Sequence, residues 1–168
     1  MTRLIPPYET VFTVADNPFR NWWFVGAGLV FVAIGALIVF RPDILKALGV
    51  RSLGKFDRPF GWVFIVGASL WTITAGYAVI GGSLSALENL KSGNCETVEG
   101  AVEDFHPEPP DGHGMESFRV GAERFAYSDF VVSPGFNHSA THGGPIRPGL
   151  HVRICHHDGQ ILRLEVAR

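Results

Sequence analysis

Two long stretches of this sequence contain no Asp, Glu, Lys, Arg or His: Trp22 to Phe40 and Phe60 to Gly82. The absence is informative because the overall composition, 46% hydrophobic with a formal net charge of -2, is ordinary for a soluble domain. Buried helices of a soluble bundle normally keep a polar face, and neither stretch has a charged side chain to place on one. As helices, 19 and 23 residues rise about 28 Å and about 34 Å, enough to cross the hydrocarbon of a bilayer. The expectation is a membrane protein with transmembrane helices over 22–40 and 60–82.

The same absence excludes functions. Without an ionisable residue, the spans offer no proton relay, no ion-coupling carboxylate and no imidazole for a haem or chlorophyll metal. Their polar side chains are Ser69, Thr72, Thr74 and Tyr77, too little for transport or catalysis within the bilayer. The rest of the chain lacks HExxH, Cys-x-x-Cys and a nucleophile elbow, so Ser128, Ser133 and Ser139 carry no local catalytic signature. The reading is therefore a protein that is not an enzyme and has no cofactor. Residues 83–168 hold twelve acidic against seven basic side chains, which leaves -5 where a nucleic-acid-binding face needs a basic patch.

What is present orders the chain. Residues 1–21, with Pro6, Pro7, Glu9, Asp16 and Pro18, are a poor n-region for a signal peptide and read as an irregular or surface-lying N-terminal arm. Its Tyr8, Phe12 and Phe19 are available to headgroups or to a neighbouring protein. The loop over 41–59 carries Arg41, Lys46, Arg51, Lys55 and Arg58, whereas the arm has only Arg3 and Arg20, and Lys91 alone lies soon after the second span. Lysine- and arginine-rich short loops stay in the cytoplasm, so both ends are expected in the periplasm or an equivalent exterior compartment, across an inner (plasma) membrane. Trp22, Trp23, Phe24, Phe60, Trp62 and Tyr77 fall where an aromatic belt belongs.

Small residues mark where the spans pack. Ala68, Thr72 and Gly76 recur every four residues in the second span, and the first supplies Gly28 and Gly35 among other small residues. Such faces allow close helix approach, either within the hairpin or against a partner. Trp71 lies mid-span, away from the interface where tryptophan is usual, and is expected to pack in the hairpin or on a neighbouring subunit, a pigment or a lipid.

Beyond the second span, Leu84, Leu87 and Leu90 keep helical spacing and Gly93 follows as a cap, defining a helical extension over 83–93. From Cys95 the period shortens. Alternation at Val98 and Val102, Phe118 and Val120, and Leu150, Val152 and Ile154 predicts strands. His157-Asp158-Gly159 and Gly121-Ala122 are hairpin signals. About five strands in residues 94–168 suggest a small β domain, an OB-like barrel or a sandwich, and so an α+β membrane protein overall.

Cys95 and Cys155 are the two cysteines; in an oxidising compartment they are either one disulfide or two half-buried thiols. All seven histidines, His106, His113, His138, His142, His151, His156 and His157, lie in the same domain. His138 and His142 have i, i+4 spacing, but Ser133-Pro-Gly and Gly143-Gly-Pro surround them with loop formers, so surface or strand histidines are expected rather than a metal site. Two functions remain. One is a structural or accessory subunit, with membrane lipid and other membrane-protein subunits as partners. The other is a tethered exterior module whose loops His106 to Gly114 and Ser133 to Pro148 receive a small ligand or metal.

Overall fold

The computed structural model describes residues 7–47, 49, 54–111 and 114–168; Arg3, Pro6, Arg51 and His113, used above, lie outside them. The chain forms two compact units, Asn21–Gly81 and a second built from Met1–Arg20 with Gly82–Arg168.

In the first unit, α1 (Trp22–Phe40) and the greater part of α3 (Asp57–Ser92) run antiparallel, joined through a short α2 (Pro42–Ala47) and a 3-10 turn at Gly54–Phe56. Both long helices are long and apolar enough to cross a membrane, and only 17% of the apolar window of either is buried. Glycine sets their approach. A Cβ on Gly28 would lie 2.3 Å from Thr72 Oγ1 and 2.8 Å from Trp71, one on Gly35 2.7 Å from Ile65, and one on Gly61 2.6 Å from Val39. Gly76 faces Val25 more loosely, at 3.7 Å. Thr72 Oγ1 donates to the Ala68 carbonyl at 2.6 Å and Thr74 Oγ1 to the Leu70 carbonyl at 2.9 Å, so these hydroxyls are satisfied within their own helix.

Among its described residues the second unit has seven strands: β1 (Tyr8–Thr13), β2 (Glu96–Ala101), β3 (Glu103–His106), β4 (Glu116–Val120), β5 (Glu123–Tyr127), β6 (His151–His157) and β7 (Gln160–Ala167). They form two antiparallel sheets, β1-β7-β6-β2 and β3-β4-β5. Two expectations are corrected here. The arm is not irregular throughout, because Tyr8–Thr13 is a strand that pairs with β7, while residues 14–21 are turns and irregular chain. No barrel closes either: β1 occupies the β7 edge that a closing strand would need.

The β6–β7 turn places Asp158 at φ 48° and Gly159 at φ 75°, the two positive values of a I′ turn, and Gly121 opens the β4–β5 turn at φ 60°. The core between the sheets comprises Phe118, Val120, Phe125 and Tyr127 from one and Val152, Ile154, Ile161 and Leu164 from the other, with Phe136 and Ile146 from the loops. Register explains β7. Cys155 pairs with Arg163 and His156 with Ile161, so Leu162 is an extra residue. The bulge lets Ile161 and Leu164 both face the sheet–sheet core while Leu162 turns to the opposite face. There it packs with Val14, Cys155 and the helical Ala86 and Leu90.

Helix α3 ends at Ser92, followed by Gly93 at φ 73°. Cys95 and Cys155 are joined by a disulfide with Cα atoms 5.6 Å apart, enclosing a sequence separation of 60. A loop of that size stabilises by about 4 kcal/mol through the unfolded chain. Replacing both cysteines with alanine is expected to lower the unfolding free energy of this unit by roughly that amount, measured by denaturant titration. Thiol labelling of unreduced protein is expected to find neither cysteine reactive.

Candidate functional site

Glu108, Glu116, Ser128 and Ser139, buried polar residues of the β unit, gather at the ends of β3, β4 and β5, where the chain leaves the sheet in two loops. Glu116 opens β4 and is fully buried, because its position faces the core like Phe118 and Val120. A carboxylate there requires donors, and it has two: Tyr127 OH at 2.5 Å on Oε1 and the Ala140 N–H at 2.7 Å on Oε2. Glu108, also buried, accepts from Ser128 Oγ at 2.5 Å and from the Asp129 N–H at 3.2 Å. Thr141 Oγ1 donates to the Glu108 carbonyl at 2.6 Å, which fastens the first loop to the second.

Asp129 is the centre of the second loop. Its Oδ2 accepts from the Ser139 N–H at 3.0 Å, from Ser139 Oγ, and from His142 Nδ1 at 2.9 Å. His138 and His142, the pair with i, i+4 spacing, meet through His138 Nε2 and the His142 carbonyl at 2.9 Å, ring to backbone rather than ring to ring. Gly144 is required beside them, since a Cβ would lie 2.0 Å from the His138 carbonyl oxygen.

Burial pushes the Glu116 carboxyl up, only partly offset by its donors and by Arg147. Burial, and then the bond to Glu116, raises Tyr127 far above the ordinary phenol range. Asp129 moves the other way: burial pushes its carboxyl up, but the Ser139 hydroxyl and N–H and His142 outweigh it and hold the group below the usual range.

Glu108, Asp129 and His142 bring one ligand atom each within 4.8 Å of one another, and two carboxylates with an imidazole are a donor set that suits a divalent transition metal. The sequence reading missed this trio because it sought histidines spaced along one element. Glu108 lies on the first loop and Asp129 and His142 on the second, 13 residues apart, with no motif spacing to signal them. Ser139, His142 and Asp129 do not form a nucleophilic relay. His142 Nδ1 is shared between Ser139 Oγ at 3.1 Å and Asp129, so the acid does not orient the ring for the hydroxyl from its far nitrogen. The cluster acts first as a loop clamp, with buried carboxylates accepting from backbone N–H groups.

The remaining histidines are dispersed. His106 Nδ1 bonds the Asp104 carbonyl at 2.8 Å, and His157 lies 3.6 Å from Asp158. His156 is buried edge-on to Phe125 at 5.0 Å, with neither ring nitrogen hydrogen-bonded among the described residues. Between the second loop and the β6–β7 hairpin, Tyr127, Ser133, Phe136, Asp158 and Gln160 line a mostly polar cleft of about 230 Å³.

On the helices, Gly28, Gly35, Thr72 and Gly76 are buried, Ala68 is half-buried, and Trp71 remains 42% exposed while packing on Phe24 at 5.2 Å. Phe31, Val63, Phe64, Gly67, Ala68 and Trp71 line an apolar groove of about 480 Å³. Comparison with protein-family models, curated proteins and solved structures finds no match.

Asp129→Ala leaves the buried Ser139 N–H and hydroxyl without their acceptor and is expected to cost about 1–3 kcal/mol of stability, read by chemical denaturation. The two shifted carboxyls act on opposite sides in pH. Glu116, raised on folding, favours the fold most below the ordinary carboxyl range and loses that contribution as pH rises through its raised value. Asp129, lowered on folding, contributes above the ordinary range and loses it as pH falls through its depressed value. The pH profile of stability in Glu116→Gln is expected to lose the first slope and that of Asp129→Asn the second.

Proposed function

We propose that this chain is a two-pass membrane protein acting as a structural or accessory subunit of a membrane complex, with its β unit on the exterior side. The observation that carries the reading is the uncovered state of α1 and α3: both are apolar along a bilayer's thickness and only 17% of either window is buried. Lipid or neighbouring helices must cover the rest. The groove beside Gly67, where a Cβ would meet nothing within 4 Å, has the small-residue floor and aromatic walls that a partner helix fits.

The pairing of β1 with β7 supports an even number of crossings, since it requires the segments before α1 and after α3 to share one compartment. The basic residues Arg41 and Lys46 between α1 and α3, with Arg58 in the first turn of α3, favour the cytoplasm for the connecting loop. A disulfide in the β unit suits an oxidising exterior.

Extraction in mild detergent is expected to give a native mass well above that of the chain, with the same membrane proteins accompanying it in fixed stoichiometry by mass spectrometry. A lone monomer or homo-oligomer would contradict the subunit reading. The convergence of Glu108, Asp129 and His142 favours a second reading, a tethered module that binds a divalent metal. It ranks behind the first because the two carboxylates are already engaged by Ser128, Ser139 and backbone N–H groups. Stoichiometric zinc binding to the full chain, abolished by His142→Ala, would reverse that ranking.

A further inference from the structure

The β unit carries one contiguous apolar loop segment that its own core does not use. Phe130, Val131 and Val132 follow Asp129 at the end of β5 and are 63%, 50% and 44% exposed. From Phe130 to Asn137 there is no ionisable side chain. Three features of this segment belong together.

The first is its attachment. Arg20 donates from Nη2 to the Ser133 carbonyl at 3.0 Å, the Gly135 carbonyl at 2.6 Å and Asn137 Oδ1 at 2.6 Å. Arg20 stands two residues before Trp22, where α1 begins. On the other side, a Cβ on Gly82 would lie 3.8 Å from Pro134. Gly82 is the last residue of the span over 60–82, and α3 continues beyond it to Ser92. The loop is thus bonded to Arg20, two residues before α1 begins, and lies beside Gly82 of α3.

The second is the state of its backbone. The Phe130 N–H bonds Ser128 Oγ at 3.1 Å, the Val131 N–H bonds the Ser128 carbonyl at 3.2 Å, and the Val131 carbonyl accepts from Asn137 Nδ2 at 2.9 Å. These polar groups are satisfied from within, as they must be where water is scarce. The apolar side chains are left facing outward. The third is Phe19, next to Arg20 in sequence and 42% exposed, an apolar ring at the same crossing point.

We infer that Phe130–Val132, together with Phe19, is a lipid-contacting loop that dips into the exterior headgroup boundary of the bilayer and holds the β unit against the membrane surface. The inference rests on the two-span reading above. A bilayer is the occupant favoured over a protein partner because the segment is uncharged, the Phe130 and Val131 N–H groups and the Val131 carbonyl are bonded within the loop, and the same loop is held by Arg20 where the chain enters α1. An interfacial segment of this kind seats its apolar groups about 5–10 Å into the headgroup and acyl boundary.

The test uses the full chain in phosphatidylcholine–phosphatidylglycerol vesicles, with Trp22, Trp23, Trp62 and Trp71 replaced by phenylalanine except where stated. Phe130→Trp in this background supplies one reporter, Val131→Trp a second, and a variant that retains only Trp71 reads the spans. Lipids brominated near the headgroup end of the chain are expected to quench the indole introduced at position 130 or 131 by about half, the depth of about 5–10 Å putting it within their reach, while chain-terminal bromines quench it less. Trp71 is expected to respond most to the deep bromines. Quenching of Trp71 alone, with the loop reporters open to aqueous iodide, would overturn the loop contact and leave the spans standing. Loop reporters shielded from both iodide and brominated lipid would overturn it in favour of a protein partner. No lipid quenching in any variant would remove the two-span reading and the loop contact with it.

Discussion

Strand β1 pairs antiparallel with β7, from Tyr8 opposite Ala167 to Thr13 opposite Arg163, and this single ladder ties residues near one end of the chain to residues near the other. Between them lie two apolar helices. If the helices cross a bilayer, the ladder permits only a crossing that returns to its starting side. It also supplies a built face: Tyr8 donates to Glu99 at 3.0 Å and lies under the Arg153 guanidinium at 4.3 Å, and Arg153 pairs with Glu99 and Glu165. Those exposed ion pairs contribute little energy singly, but they specify the order β1-β7-β6-β2 by matching charges across three neighbouring strands. At the other end of the same sheet, the bulge at Leu162 turns an apolar side chain towards Ala86 and Leu90, so the last turns of α3 are seated on the sheet by packing as well as by connectivity.

The polar loops are governed by a different rule. Glu108, Glu116 and Asp129 put carboxylates into a small domain where each must find donors, and they find backbone N–H groups, hydroxyls and an imidazole on facing loops. A network satisfied in this way fixes the loops in one arrangement. It also leaves the apolar stretch after Asp129 with the Phe130 and Val131 N–H groups bonded to Ser128 and its side chains exposed.

The sequence makes the helices legible because absence of charge over a span's length is a strong, local signal. It also makes the β6–β7 hairpin legible, since Asp158-Gly159 is a dipeptide that accepts two positive φ values. Strand β1 is not legible: it is six residues long, prolines precede it, and its partner lies over 150 residues away in the chain. With β1 unseen, the remaining strands read equally as an OB-like barrel or a sandwich. The carboxylate cluster is hidden for the same reason, because Glu108 follows β3, Asp129 follows β5 and His142 closes a 3-10 turn in the loop before β6, with no spacing a motif could record.

The proposed two-pass topology puts a bilayer between the α1–α3 connection and the β unit. Membrane-impermeant maleimide applied to sealed, right-side-out membranes, without reductant, measures it most directly when Lys46→Cys and Glu123→Cys are compared as full-length variants. The account predicts prompt labelling of Glu123→Cys, and labelling of Lys46→Cys only after the membrane is permeabilised. Equal labelling of both variants in sealed membranes would contradict it.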